Sequence, residues 1–213
     1  MSNMSISVTK FAHSCILAET KERTALFDPG IFSWKSGIDF EALPVVDRLV
    51  ITHEHQDHFY MPFVKFLVRK FPDMHIVADQ TILNLIEKAN IKARLRTSSD
   101  CLRPFKANHE VTPWTQEVKN KGFHFMDVLT HPGDSHSFDE TKDILALPIT
   151  APWGSLTNAV KLAVELKPRV VLPIHDWHLN SEAKKWYYNT CQSTLNSKGI
   201  KFLDLIDGVK VDL

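Results

Sequence analysis

One short segment limits what this chain can fold into more than any other part of the sequence. Within six positions it carries four metal-ligating side chains, His53, His55, Asp57 and His58. It directly follows the apolar stretch 48–52, which predicts a buried strand, and it precedes a predicted helix. Imidazole and carboxylate groups together suit Zn²⁺, Mn²⁺ or Fe²⁺. Because four ligands from one short loop cannot all reach one ion comfortably, the spacing predicts two metal ions.

The rest of the pattern predicts a single domain, residues 1–213, of the α/β (α+β) class. Predicted strands cluster early in the chain, whereas strands and helices alternate later, and this order favours a layered architecture. The predicted strands are 6–11, 15–19, 23–27, 48–52, 75–78, 144–148 and 169–174, and the predicted helices are 59–71, 80–89, 155–166 and 181–197. Residues 92–130 are predicted as strands without clear boundaries, and 202–206 with 209–211 as a closing hairpin.

The composition excludes several classes of protein. Twenty-five basic and 25 acidic side chains give no net charge, which argues against a protein that coats nucleic acid. No apolar stretch reaches the roughly 18 residues that span a membrane, and residues 1–10 lack the pattern of a secretory signal. The three cysteines, Cys15, Cys101 and Cys191, are scattered and odd in number. We therefore expect unpaired thiols and a cytoplasmic location.

Further motifs extend the pattern along most of the chain. Asp28 follows a predicted strand in Leu-Phe-Asp-Pro-Gly, and His109 lies mid-chain in Lys-Ala-Asn-His-Glu-Val. Asp134 occupies His-Pro-Gly-Asp-Ser, and His175 follows the late strand Val-Val-Leu-Pro-Ile. With the His-x-His-x-Asp-His segment, this order resembles the metallo-β-lactamase superfamily. The segments Phe-Ala-His-Ser, Thr-His-Pro-Gly-Asp-Ser and Leu-Pro-Ile-Thr-Ala-Pro-Trp are similar to its ascorbate-6-phosphate lactonase-like branch.

The resemblance implies a four-layer αββα sandwich and a binuclear metal-dependent hydrolase. The implied ligands are His53, His55 and His109 for one ion, Asp57, His58 and His175 for the other, and Asp134 as a bridge. Two divalent ions, zinc before manganese or iron, would activate a hydroxide that attacks a small ester, lactone or phosphoester. Asp57 and Asp134 are the expected catalytic residues. Asp28 is expected beneath the metals, hydrogen-bonded to a ligand or its loop.

Several assignments stay open at this stage. His124 and His131 compete with His109 as the mid-chain ligand, and His109 is favoured by its place in the motif order. His13, Trp153 and His178 are candidates for substrate contact. The aromatic side chains of Phe32, Trp34, Phe59 and Tyr60 either line the cleft or cover the edge of the core.

The nature of the partner is also an expectation. We expect a small-molecule substrate and no association with a membrane. Whether the protein forms a homo-oligomer stays open. A nuclease of the same superfamily is the alternative function, but it would need a basic groove, against which the charge balance argues. A non-catalytic scaffold of this fold is the third hypothesis, and its expected mark is a missing ligand. In this sequence a histidine or an aspartate stands at every ligand position, so no ligand is missing.

Overall fold

A computed structural model describes residues 5–113 and 118–213. The chain divides into two compact units, the first made of the residues up to Cys101 together with Ile206–Leu213, the second of Leu102–Leu205. Each unit contains one mixed sheet with helices. This arrangement confirms the predicted α/β class. The prediction of a single domain stays a prediction.

The sheet of the first unit has seven strands. They are β1 (Ile6–Lys10), β2 (Ile16–Thr20), β3 (Thr24–Phe27), β4 (Arg48–Ile51), β5 (His75–Ala78), β6 (Arg94–Arg96) and β13 (Lys210–Asp212), in the order β13-β1-β2-β3-β4-β5-β6. The pairs from β13 to β3 are antiparallel, and those from β3 to β6 are parallel. The carboxyl ends of β3 and β4 therefore meet at one edge of this sheet, where the residues that follow them come together.

In the described part of this unit, three α-helices accompany the sheet, α1 (Ile31–Trp34), α2 (Met61–Lys70) and α3 (Gln80–Lys88), together with a short 3₁₀ helix, Phe40–Ala42. The apolar faces of α2 and α3 are buried in one core, with Phe63 and Leu67 on α2 and Ile82 and Ile86 on α3. The side chain of Asp79 caps α3 by accepting a hydrogen bond from the amide of Thr81 at 3.0 Å, as its sequence position predicts.

The second unit has a six-stranded sheet. Its strands are β7 (Leu102–Lys106), β8 (Lys121–Phe125), β9 (Leu129–His131), β10 (Ile144–Pro148), β11 (Val170–Ile174) and β12 (Lys201–Phe202), in the order β12-β11-β10-β9-β8-β7. The strands from β12 to β9 are parallel, and the remaining pairs are antiparallel. Its helices are α4 (Leu156–Leu166) and α5 (Ser181–Asn196).

Both helices of the second unit begin after polar capping residues. Ser155 accepts a hydrogen bond from the amide of Asn158 at 3.2 Å, and Asn180 accepts one from Ala183 at 2.8 Å. Helix α4 ends at Leu166, and the next residue, Lys167, has a left-handed backbone directly before Pro168. Among the described residues no helix combines the length and the apolar character needed to cross a membrane.

The predicted hairpin at 202–206 and 209–211 is wrong. β12 pairs in parallel with β11 in the second unit, whereas β13 pairs antiparallel with β1 in the first. Each segment therefore completes a sheet begun much earlier in the chain, and the two do not pair with each other. The strand predicted at 202–206 is also too long, since β12 ends at Phe202, whereas the one predicted at 209–211 largely coincides with β13. The sequence between them does not determine which strands they pair with.

Candidate metal centre

The loop after β4 forms a tight turn that carries the four clustered residues predicted as ligands. The amides of His58 and Phe59 both donate to the carbonyl oxygen of His55, at 2.9 and 2.7 Å. His53 and His58 are buried, whereas His55 and Asp57 are half-buried. The turn separates the ligands into two pairs, His53 with His55 and Asp57 with His58, as the sequence spacing predicts.

The carboxylate of Asp28 fixes this turn through hydrogen bonds. Asp28 follows β3, is fully buried and has a left-handed backbone (φ 47°). Its carboxylate accepts hydrogen bonds from the amide and the hydroxyl of Thr52, both at 2.8 Å. Its Oδ2 atom also lies 2.7 Å from Nδ1 of His58. The predicted position for Asp28, hydrogen-bonded to a ligand and to its loop, is what these contacts describe.

The hydrogen bonds of Asp28 determine which ring nitrogens carry protons. An ionised carboxylate only accepts, so Nδ1 of His58 is the donor. The hydroxyl of Thr52 already donates to Asp28, so it accepts from Nδ1 of His53, which lies 3.1 Å away. The lone pairs of His53 and His58 are therefore on Nε2, the nitrogen that faces the other clustered ligands.

The distances between donor atoms in the first unit match those between ligands of one ion. Nε2 of His53 lies 3.2 Å from Nδ1 of His55, and Nε2 of His58 lies 3.8 Å from Oδ2 of Asp57. Ligands bound tetrahedrally at 2.0–2.1 Å are separated by about 3.3 Å. Each pair is therefore spaced to share an ion.

Gly30 is a functional position that sequence reasoning missed. A Cβ atom at this residue would lie 1.7 Å from the carbonyl oxygen of Asp57, a contact that no side chain could make. Two backbone hydrogen bonds close the same contact, Ile31 to Gln56 at 2.8 Å and Tyr60 to Pro29 at 3.0 Å. In the sequence, Asp-Pro-Gly indicates only a turn after a strand, whereas in the structure it brings residues 29–31 against the loop that carries the predicted ligands.

His13 lies at the turn between β1 and β2. Its side chain is only 2% exposed, and its Nε2 atom lies 3.2 Å from Oδ2 of Asp57. The other aromatic candidates of this unit differ in placement. Trp34, Phe59 and Tyr60 belong to the core or pack against it, whereas Phe32 meets the ring of His13 edge-on, at a centroid distance of 5.0 Å.

The second unit brings the other three predicted ligands together around Asp134. Oδ1 of Asp134 lies 3.2 Å from Nε2 of His175, and its Oδ2 lies 3.6 Å from Nε2 of His109. Trp153 donates its indole N–H to the same Oδ2 at 3.1 Å. The backbone amide of Asp134 donates to the side chain of Asn120 at 3.2 Å. One carboxylate thus presents a different oxygen to each of two imidazoles.

His109 and His175 are oriented in the same way as His58. Nδ1 of His109 lies 2.6 Å from the carbonyl oxygen of Glu110, and Nδ1 of His175 lies 2.8 Å from that of Thr150. A carbonyl oxygen can only accept, so each Nδ1 carries the proton and each Nε2 carries the lone pair. Both Nε2 atoms are directed at Asp134.

The competing histidines of the second unit have other partners. His124 lies on β8, with Nδ1 2.9 Å from the Thr130 hydroxyl and Nε2 3.1 Å from Glu140. Burial lowers the pKa of His124, which favours its neutral form. His131 accepts a hydrogen bond from the amide of Gly133 through Nδ1, at 3.3 Å.

Two more imidazoles lie beside this group. His178 contacts the Thr150 hydroxyl at 3.2 Å, and burial, with His175 nearby, lowers its pKa. His136 went unnoticed in the sequence, because it falls in the polar run after Gly-Asp-Ser. Its Nε2 donates to the carbonyl of Pro148 at 2.8 Å, and its ring meets Trp153 edge-on. Burial lowers the pKa of His136 too, so it is a neutral donor that supports Trp153.

The cysteines do not offer a nucleophile. All three are unpaired, as predicted, and all three are buried. Burial raises the pKa of Cys15 and of Cys101, and it raises the pKa of Cys191 to about 12. Thiols of this kind stay protonated at neutral pH, which excludes thiolate catalysis. The chemistry rests instead on imidazole nitrogens and carboxylate oxygens, a donor set that fits zinc and similar divalent ions.

Comparisons with known proteins show what the chain is similar to. Residues 7–175 match the family described as "Beta-lactamase superfamily domain". Protein Rv0786c of Mycobacterium tuberculosis is 31% identical over 194 residues, which cover 86% of this chain and 90% of that protein. A candidate metal-dependent hydrolase of Parabacteroides distasonis shares the fold, with a TM-score of 0.70, 19% identity and 94% of each chain covered. Igni18, a metallo hydrolase of Ignicoccus hospitalis, gives a TM-score of 0.68 at 15% identity over 98% of each chain.

Proposed function

This chain belongs to the beta-lactamase superfamily, and on that basis we propose that it is a binuclear metal-dependent hydrolase of a small ester, lactone or phosphoester. The membership confirms the predicted superfamily, the fold of the metallo-β-lactamase type and the enzyme class of metal-dependent hydrolases. The number of ions, their identity and the substrate belong to the proposal.

We assign the ligands as the family motif orders them along the chain. His53, His55 and His109 would hold one ion, Asp57, His58 and His175 would hold the other, and Asp134 would contribute to both. The contacts of Asp134 support the bridge, because its Oδ1 faces His175 and its Oδ2 faces His109, which belong to different ligand sets. Zinc is the first choice for an imidazole-rich set, with manganese and iron as alternatives.

The observation that carries the proposal is the shared orientation of four imidazoles. His53, His58, His109 and His175 each place Nδ1 against an oxygen, from Thr52, Asp28, Glu110 and Thr150 respectively. This arrangement is typical of metal-binding histidines, because it fixes the ring and makes Nε2 the ligand atom. Histidines that serve only as surface polar groups have no reason to share one tautomer.

The chain's own residues position the ligand atoms and supply negative charge at the site. When bound, two such ions lower the pKa of a water and polarise a carbonyl or phosphoryl oxygen. Asp57 and Asp134 act through the negative charge they bring to the ligand sets. Trp153 fixes the Oδ2 atom of Asp134 by its indole hydrogen bond. His178 is available nearby as a neutral group for proton transfer, since burial lowers its pKa.

We place a lactone first among the substrates, because the Phe-Ala-His-Ser, Thr-His-Pro-Gly-Asp-Ser and Leu-Pro-Ile-Thr-Ala-Pro-Trp segments are similar to the lactonase-like branch. The absence of net charge supports a small substrate over a nucleic acid. Three unpaired thiols fit a reducing compartment, so we place the reaction in the cytoplasm.

The metal content of untagged protein purified without chelator tests the proposal directly. We expect about two equivalents of zinc, manganese or iron per chain by inductively coupled plasma mass spectrometry. The protein is then assayed against matched panels of lactones, simple esters and phosphoesters, with an Asp134→Ala variant as the inactive control. A protein that binds no metal even after reconstitution, or hydrolyses none of the three panels, overturns the proposal.

A further inference from the structure

The turn between β1 and β2 has an unusual backbone for its sequence. Ala12 and His13 both adopt left-handed conformations, with φ of 65° and 54°. Neither residue is glycine, and such conformations cost free energy that the surrounding structure must offset. The hairpin is closed by hydrogen bonds from Phe11 to Cys15 and from Cys15 to Ala12, at 2.8 and 3.2 Å. The strained turn is therefore held in one defined shape.

The same turn is tied to the segment that supports the ligand loop. The hydroxyl of the buried Ser33, on α1, donates to the carbonyl oxygen of Ala12 at 3.1 Å. Helix α1 starts directly after Gly30, which lies against the backbone of Asp57. A short, hydrogen-bonded path thus fixes the distance between the β1–β2 turn and the ligand loop.

The result is a buried imidazole aimed at a ligand pair. Nε2 of His13 lies 3.2 Å from Oδ2 of Asp57, the atom that Nε2 of His58 approaches to 3.8 Å. The ligand atoms of these three residues all lie within 4.8 Å of one another. A hydrogen bond needs only two atoms, whereas here three donor atoms lie within 4.8 Å of one another, close enough to reach one ion.

We propose that His13 is a further ligand, through Nε2, of the metal ion held by Asp57 and His58. This inference rests on the proposed function and changes the role of His13, for which the sequence suggested substrate contact. A histidine at this point makes one of the two ligand sets richer in nitrogen. It also explains why the turn between β1 and β2 is strained, since a regular hairpin turn would not fix the ring of His13 beside Asp57.

Metal affinity tests the role of His13 without relying on activity. Two variants are titrated with Zn²⁺ against a chromophoric chelator, after removal of bound metal. His13→Gly deletes the ring at a position whose φ glycine adopts freely. His13→Gln keeps a side chain that can hydrogen-bond Asp57 but binds metal poorly. His75→Gln, at the start of β5, is the control. We expect at least a ~10-fold weaker affinity at one of two sites in both His13 variants, and no change in the control.

Cobalt absorption spectra and added imidazole complete the test. We expect the visible spectrum of the Co²⁺ protein to change in both His13 variants, and free imidazole to restore it in His13→Gly. Unchanged affinities and spectra would overturn the inference, as would full recovery of affinity in His13→Gln, which would leave His13 as a positioning residue for Asp57. A wild-type protein that binds no metal contradicts the proposed function instead. Thermal unfolding of the metal-free variants shows whether they fold.

Discussion

Asp28 and His58 form a fully buried pair, with Oδ2 of Asp28 2.7 Å from Nδ1 of His58. The same carboxylate accepts both hydrogen-bond donors of Thr52, and Thr52 in turn orients His53. One side chain therefore determines the tautomers of one histidine from each ligand pair. The consequence is that a single change at Asp28 affects both pairs at once.

We predict that Asp28→Asn weakens metal binding at both sites. The amide has one acceptor where the carboxylate has two, so at least one of its three buried donors loses its partner. Metal affinity should fall by about 10–100-fold, and the free energy of unfolding by about 1–3 kcal/mol. Competitive Zn²⁺ titration and chemical denaturation measure the two effects. Asp73→Asn, at an exposed ion pair, is the matched control. Loss of affinity at only one site would disprove the shared role.

Gly30→Ala should destabilise the metal-free protein. Its methyl group would overlap the carbonyl of Asp57, which is backbone and cannot rotate away. We expect a loss of about 1–3 kcal/mol in the free energy of unfolding and a displaced ligand loop. Gly37→Ala separates this steric effect from backbone strain, because a Cβ at Gly37 meets no atom within 4 Å although φ is 83°. The control should lose only about 1 kcal/mol and keep its metal affinity. If Gly30→Ala and Gly37→Ala bound metal equally tightly, the position of the ligand loop would not depend on the close approach of Gly30 to Asp57.

Replacing Asp134 by Ala should remove hydrolysis while leaving the fold. The side chain is buried and meets His109, His175 and Trp153, but it belongs to no apolar core. We expect kcat/KM to fall at least ~100-fold, equivalent to a few kcal/mol of transition-state stabilisation. Circular dichroism checks the fold, and the exposed Asp143→Ala is the control. An Asp134→Ala enzyme with normal kcat and two bound ions would show that this residue is not the bridge.

The stability of the metal-free protein should decrease as the pH falls below about 6.5. Burial lowers the pKa of His124 from its usual 6.5, so below that pH the unfolded chain binds a proton that the folded chain resists. Protonation therefore favours unfolding, increasingly until the pH passes the pKa in the folded state. Denaturant unfolding at pH 7.5 and pH 5.5, with chelator present throughout, measures the loss. His124→Gln should lose less stability over this interval than the wild type. An identical pH dependence in the two proteins would show that folding does not lower the pKa of His124.

The strand bounds, the helix caps and the spacing after β4 could be predicted because each depends on a short stretch of sequence. β5 and β10 have the predicted bounds, and Asp79, Ser155 and Asn180 cap helices. The spacing after β4 is also local, so the grouping of His53 with His55 and of Asp57 with His58 could be predicted from the sequence. Small shifts at the ends of elements have a physical cause. β1 ends at Lys10, one residue early, because Ala12 and His13 turn left-handed.

Features that depend on distant segments were not predictable in this way. The close contact of Gly30 with Asp57 joins residues 27 positions apart, and its sequence signal is only a turn-forming tripeptide. His13 is 44 positions from Asp57. The hydrogen bond of Trp153 to Asp134 is likewise between loops. Pattern and spacing indicate which residues suit a metal, but not which remote side chains orient them; Asp28 was predicted only because the family resemblance implied its position.

Strand β13 is synthesised last, although it belongs to the same sheet as the first strands of the chain. It pairs with β1, and the two segments are roughly 200 residues apart in the chain, so β1 leaves the ribosome long before its outer neighbour exists. Until then β1 is an uncovered edge, open to pairing with other nascent chains. Protection of that edge would fall to chaperones or to the pace of translation. A shortened protein lacking Ile206–Leu213 would keep every proposed ligand, yet it should be prone to aggregation.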